Sequence, residues 1–134
     1  MTGPERALLD TSVLIATEVG RPVDDSALPE KAAVSVVTLA ELQAGVLAAR
    51  DSEARGRRMA TLDRIAWMKV FGIGEETAAE WARLRVHLAE RGRRVNVNDL
   101  WIAASAVAHR LPIVTQDDDF DPLDGVRGLV VVKV

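Results

Sequence analysis

Ala7-Leu8-Leu9-Asp10-Thr11-Ser12-Val13-Leu14-Ile15 is a short apolar run that passes, through one acid and two hydroxyl residues, into a second apolar stretch. Ala7 to Asp10 reads as a buried strand, and Thr11 to Glu18 as a helix that ends ahead of Gly20-Arg21-Pro22. The same handover recurs along the chain. After a loop over 20–33, Val34 to Val37 reads as a strand, and Thr38 to about Ala49 as a helix with Leu39, Leu42 and Val46 on one side. Residues 51–66 continue as a charged helix striped by Met59, Leu62 and Ile65. Trp67 to Ile73 is a third strand, closed by Gly72 and Gly74, and Glu75 to about Arg91 a helix buried along Ala78, Trp81, Leu84 and Leu88. Asn98 caps a helix reaching His109, Leu111 to Thr115 is a fourth strand, and Leu129 to Val132 a fifth. Parallel strands need crossover connections, so this alternation predicts an α/β fold: a three-layer α/β/α sandwich with a central parallel sheet of about five strands.

The 134 residues, 49% of them hydrophobic, fit one domain over 1–134 with a real core. The absence of cysteine excludes disulfides, thiolate chemistry and cysteine-ligated zinc or iron–sulfur sites. His87 and His109 are far apart and lack zinc-ligand spacing, which suits helix-surface residues. The start, with Glu5, Arg6 and then Asp10, does not resemble a signal peptide, and no apolar run approaches a membrane span. A cytoplasmic protein is expected. The net charge of −3 averages two opposed regions: five arginines against Glu90 between Arg83 and Arg94, and five aspartates without a base from Asp117 to Asp124.

Asp10, Glu41, Asp99 and Asp117 each stand where an apolar run hands over to a turn or helix. Singly, each has a structural account. Asp10 could cap the first helix, and Thr38-x-x-Glu41 has the capping-box pattern. Asp99 would suit the positive end of its helix, and Asp117 with Asp118 and Asp119 a solvated turn. As a set they fall at the carboxyl end of the sheet, where open α/β folds bind ligands. Two carboxylates at roughly 4 Å repel by about 4 kcal/mol at an effective dielectric near 20, so a cation between them is expected. Oxygen-only ligation suits a hard divalent ion, Mg²⁺ or Mn²⁺. Arg83, His87 and Arg91 form a stripe that is either a solvated helix face or, continued by Arg93 and Arg94 toward Asp99, a seat for phosphates. Trp101 fits either a base-stacking role or partial core.

Four blocks, Leu8 to Ile15, Ser35 to Gly45, Asn98 to Ala106 and Ile113 to Phe120, in this order and spacing, resemble the PIN-domain family, and most nearly the VapC-type toxins of bacterial toxin–antitoxin pairs. The resemblance covers nearly the whole chain. It implies a Mg²⁺- or Mn²⁺-dependent endoribonuclease that hydrolyses RNA phosphodiesters with metal-activated water, using Asp10, Glu41, Asp99 and Asp117 as catalytic metal-holding acids. Asp119 matches a further acidic position, and Thr11, Ser12 and Thr115 match small polar positions beside the metal. Ser12 departs from the asparagine common there. The resemblance also implies a small VapB-type antitoxin partner and a homodimer or toxin–antitoxin hetero-oligomer; with RNA as substrate, the arginine stripe makes Arg91, Arg93 and Arg94 the expected RNA-binding residues.

Other classes make different demands. A phosphoacceptor receiver needs an acidic pair after its first strand and an aspartate after its third, where this chain has Val70-Phe71-Gly72. A haloacid-dehalogenase-type phosphatase needs a second aspartate two residues beyond Asp10, where Ser12 stands. A non-catalytic regulatory module would have no use for the intact acidic quartet.

Overall fold

The computed structural model describes residues 3–134, so Met1 and Thr2, which belong to the expected 1–134 domain and to the leader reading, lie outside it. The strands are β1 (Arg6–Leu9), β2 (Lys31–Ser35), β3 (Lys69–Phe71), β4 (Ile113–Thr115) and β5 (Val131–Lys133). The helices are α1 (Thr11–Glu18), α2 (Val36–Leu47), α3 (Ser52–Ile65), α4 (Glu75–Glu90) and α5 (Val97–His109). The sheet order is β3-β2-β1-β4-β5, and every pair is parallel. The chain builds outward from β1 to β3, then returns to lay β4 on the other side of β1. The crevice between β1 and β4 is therefore the switch point of the sheet.

Side chains alternate across the strands and sort the helices into two layers. Ala7, Leu9, Val34 and Val114 pack with Val13, Leu14, Leu42 and Ile65 from α1, α2 and α3. Leu8, Ala33 and Ile113 pack on the other face with Leu84 and Leu88 of α4 and the apolar side of α5. No helix joins β4 to β5. That crossover consists of short 3₁₀ turns at Asp121–Leu123 and Val126–Gly128, and it plugs the second layer with Phe120, Leu123 and Leu129. Arg127 in this crossover pairs with Glu80 of α4, Nε to Oε2 at 2.5 Å. Among the described residues no helix is long and apolar enough to cross a membrane.

Several expected boundaries shift. β2 begins at Lys31 and ends at Ser35, and α2 starts at Val36, with Ser35 Oγ accepting from Val37 N at 3.0 Å. Thr38 is thus inside the helix and fully buried, which removes the capping-box reading of Thr38 and Glu41. Asn96, not Asn98, caps α5, accepting from Asn98 N at 2.9 Å. β3, β4 and β5 have three residues each, shorter than or displaced from the runs that suggested them. The buried faces of α3 and α4 carry Thr61 and Thr77, whereas Met59 is 49% exposed and Ala78 is also exposed.

Candidate metal centre

Asp10 occupies the N-cap position of α1 with extended backbone, yet its carboxylate accepts no capping hydrogen bond from the helix. It is turned to another use. The residue is 2% exposed, and its Oδ2 accepts from Ser12 Oγ at 2.7 Å and from Thr115 Oγ1 at 2.9 Å. The β1–β4 pairing carries these groups together, since Asp10 N donates to Val114 O at 2.9 Å. Thr115 Oγ1 in turn accepts from Asp117 N at 3.0 Å, and Ser12 Oγ from Gln116 N at 3.1 Å. Two hydroxyls therefore lock the ends of the central strands around one carboxylate, charge-assisted bonds being the stronger kind.

Glu41 reaches the same region from α2. Thr11 Oγ1 donates to Glu41 Oε1 at 2.9 Å and lies 3.0 Å from Thr38 Oγ1, so the buried threonine on α2 fixes the hydroxyl that orients the glutamate. Asp99 stands in the first turn of α5 behind the Asn96 cap. Its carboxyl is pushed up to about 7, first by burial, then by the charges of Asp10, Asp119, Glu41 and Asp117. Burial likewise raises Asp117, with Asp10 and Asp119 adding to it and Arg21 opposing. These mutual influences bring carboxylates from four separate segments, 10, 41, 99 and 117–119, into one region.

The donor chemistry fits a hard divalent ion. All five groups are carboxylates, and an ion among them would offset the burial and mutual repulsion that raise Asp99. Among the described residues, no three carboxylate or imidazole groups close on one point at ligation distance. The like charges stand apart. Asp118 belongs elsewhere: it pairs with Lys133, whose ammonium also meets Asp121 at 2.8 Å. His109 stacks on Phe71 with ring centres 3.8 Å apart, in keeping with a surface role.

The cations around the crevice differ in availability. Arg83 is held by Glu80 at 2.9 Å, and Arg91 Nη1 donates to His87 O at 3.2 Å. Arg93 and Arg94, with Arg85, line a cleft of about 400 Å³ beside the start of α5, floored by Leu88 and Leu100. Gly92, at φ +63°, supplies the left-handed turn that leads from α4 into this pair. Trp101 stacks on Trp81 with centroids 5.0 Å apart, so the partial-core reading describes it. A cavity of about 580 Å³ at the β3 edge holds none of the five acids.

Residues 7–126 match the family described as PIN domain. The chain belongs to the PIN-domain family. Among PIN-domain relatives, Ribonuclease VapC5 of Mycobacterium tuberculosis is 52% identical over 133 residues, covering 99% of this chain and 98% of the relative. Ribonuclease VapC4 of the same organism is 42% identical over 126 residues, covering 94% and 97%. Among solved structures, a member of the VapBC family of toxin–antitoxin systems, VapBC-5 from M. tuberculosis, superposes with a TM-score of 0.91 at 49% identity, covering 98% of this chain and 100% of that one. FitAcB from Neisseria gonorrhoeae also superposes, at TM-score 0.73 and 26% identity, covering 94% of this chain and 96% of that one. The strand order and helix layers described above are thus those of PIN-domain toxins. Sequence reasoning missed three residues near the centre. Thr38 was read as a cap, and Gln116 and Arg21 are brought there only by the fold.

Proposed function

We propose that this protein is the endoribonuclease toxin of a toxin–antitoxin pair, acting as a single cytoplasmic domain and hydrolysing RNA phosphodiester bonds with a water activated at a metal ion. The observation that carries the reading is the facing of carboxylates from four chain segments at the switch point of a PIN fold, in a chain that is 52% identical to a ribonuclease over nearly its whole length. Asp10, Glu41, Asp99 and Asp117 are assigned as the acids that hold the metal, with Asp119 as a fifth donor. Their oxygen-only chemistry favours Mg²⁺, with Mn²⁺ as a substitute. When bound, the ion supplies a polarised phosphate and a water of lowered pKa.

The rest is the work of side chains. Ser12 and Thr115 orient Asp10 by donating to one of its oxygens, and Thr11 does the same for Glu41. Such supporting hydrogen bonds tune ligand geometry. Asp99, pushed up to about 7 by burial and then by its acidic neighbours, is partly protonated at neutral pH, so loading of the site would release protons from it. No histidine or covalent nucleophile is required. Arg91, Arg93 and Arg94 are assigned to the RNA backbone, and a small VapB-type antitoxin is the partner in a hetero-oligomer.

The test is cleavage of RNA by the purified protein. Cutting in Mg²⁺, none in EDTA, and none by Asp10→Asn is the expected pattern. Persistent cleavage in EDTA would sink the metal assignment.

A further inference from the structure

Gln116 is the residue between the two site positions Thr115 and Asp117, and its side chain faces away from the acids toward a loop far off in sequence. Its Nε2 donates to Pro22 O at 2.8 Å and to Val134 O at 3.2 Å. The segment it holds is short and stiff. α1 closes with Gly20 at φ +74° and Arg21 N donating to Ala16 O at 2.8 Å, and Pro22 fixes the next backbone angle. Arg21 is thereby pinned beside the end of β4, one residue from a carbonyl that Gln116 grips.

Arg21 is exposed, and among the described residues it enters no ion pair. The Gln116–Pro22 bond sets its loop against the residue next to Asp117. Arg21 stands on the Asp117 side of the carboxylates, whereas Arg93 and Arg94 lead into Asp99. A polyanion lying across an acidic centre is repelled by any carboxylate the metal does not neutralise, and cations on more than one side offset that. A guanidinium near the site but unpaired has its donor fork available for phosphate oxygens.

We propose that Arg21 binds a phosphate of the RNA chain at the Asp117 end of the acidic crevice, and that Gln116 is the positioning residue that holds its loop there. The inference rests on the nuclease reading for its substrate but not for its measurement. Binding of a fluorescein-labelled single-stranded RNA of mixed sequence is followed by anisotropy across a salt series, in an Asp99→Asn background that leaves the RNA uncut. Arg21→Ala weakens binding about five- to tenfold and lowers the slope of log K against log salt by about 0.7, one phosphate contact's worth for single strands. Gln116→Ala gives a smaller loss in the same direction.

Arg21 could instead serve only to offset the charge of Asp117. In that case Arg21→Ala made with Asp99 in place tightens Mn²⁺ binding, while in the Asp99→Asn background RNA affinity and salt slope stay unchanged, and this result overturns the proposal. Arg21 is exposed, so the variant's melting temperature stays that of the parent. Failure of the wild-type protein to cut RNA in Mg²⁺ would count against the nuclease reading alone.

Discussion

Replacing Asp99 by asparagine is expected to stabilise the metal-free protein at neutral pH while abolishing cleavage. Burial and the charges of Asp10, Asp119, Glu41 and Asp117 push this carboxyl from 3.8 up to about 7. Between those two pH values the folded protein keeps a proton that the unfolded chain has released. Stability therefore falls as pH rises across that window, is unaffected by this group below it, and loses nothing further above it. Three pH units correspond to about 4 kcal/mol, and the partial exposure of Asp99 screens this to about 2 kcal/mol. Asparagine has the same shape without the charge, so it lacks this slope. For a domain of this size about 2 kcal/mol is roughly 6 °C in Tm. Thermal melts of both proteins in EDTA should coincide near pH 4 and separate as pH rises, with the variant about 6 °C higher at pH 8. Mg²⁺ added at pH 8 should then raise the wild type and leave the variant where it is. A gap that does not change with pH, or a variant less stable throughout, would refute the electrostatic reasoning.

Thr115→Val keeps the volume of a fully buried side chain but leaves Asp10 Oδ2 with Ser12 as its one remaining donor and Asp117 N without an acceptor. A loss of about 1–3 kcal/mol in denaturant unfolding and a metal affinity lower by roughly tenfold or more, by calorimetry, are expected. Glu80, held by Arg127 and then Arg83, sits below the usual carboxylate range. Its contribution is present above the ordinary carboxylate pKa and lost as pH falls through the depressed folded value. Glu80→Gln should thus cost about 1 kcal/mol at pH 7 and nothing in strong acid, read from paired melts.

The layered architecture was legible because each strand is an apolar run closed by a turn signal, and α1 was bounded as observed, Thr11 to Glu18. Local rules failed where tertiary packing overrode propensity. Val36 and Val37 are β-branched and read as strand, yet they open α2 behind the Ser35 cap, while the poor strand formers Lys31, Ala32 and Ala33 lie in β2 because β1 pairs with all three and β3 with Ala33. Either Asn96 or Asn98 could cap α5 by composition, and the hydrogen bonds chose Asn96. Thr61 and Thr77 took buried positions that a purely apolar stripe gave to Met59 and Ala78.

Asp10 and Asp117 could be found from their placement just past β1 and β4, and Asp99 from its first helical turn, whereas Glu41 lies inside α2, beyond the handover that suggested it. What no local pattern revealed was how they are held. Thr11 to Glu41 and Thr115 to Asp10 are bonds across 30 and 105 residues, and Gln116 reaches Pro22 across 94. The first joins α1 to α2, and the other two exist only once β4 has been laid beside β1.

The most direct test of the central claim is anomalous scattering from crystals of the protein soaked in Mn²⁺ at neutral pH. The account predicts a manganese peak in the β1–β4 crevice bounded by Asp10, Asp99 and Asp117, absent in crystals of Asp99→Asn. A crevice without manganese in crystals of a protein that cuts RNA in Mn²⁺, or a peak that survives loss of Asp99 unchanged, would contradict it.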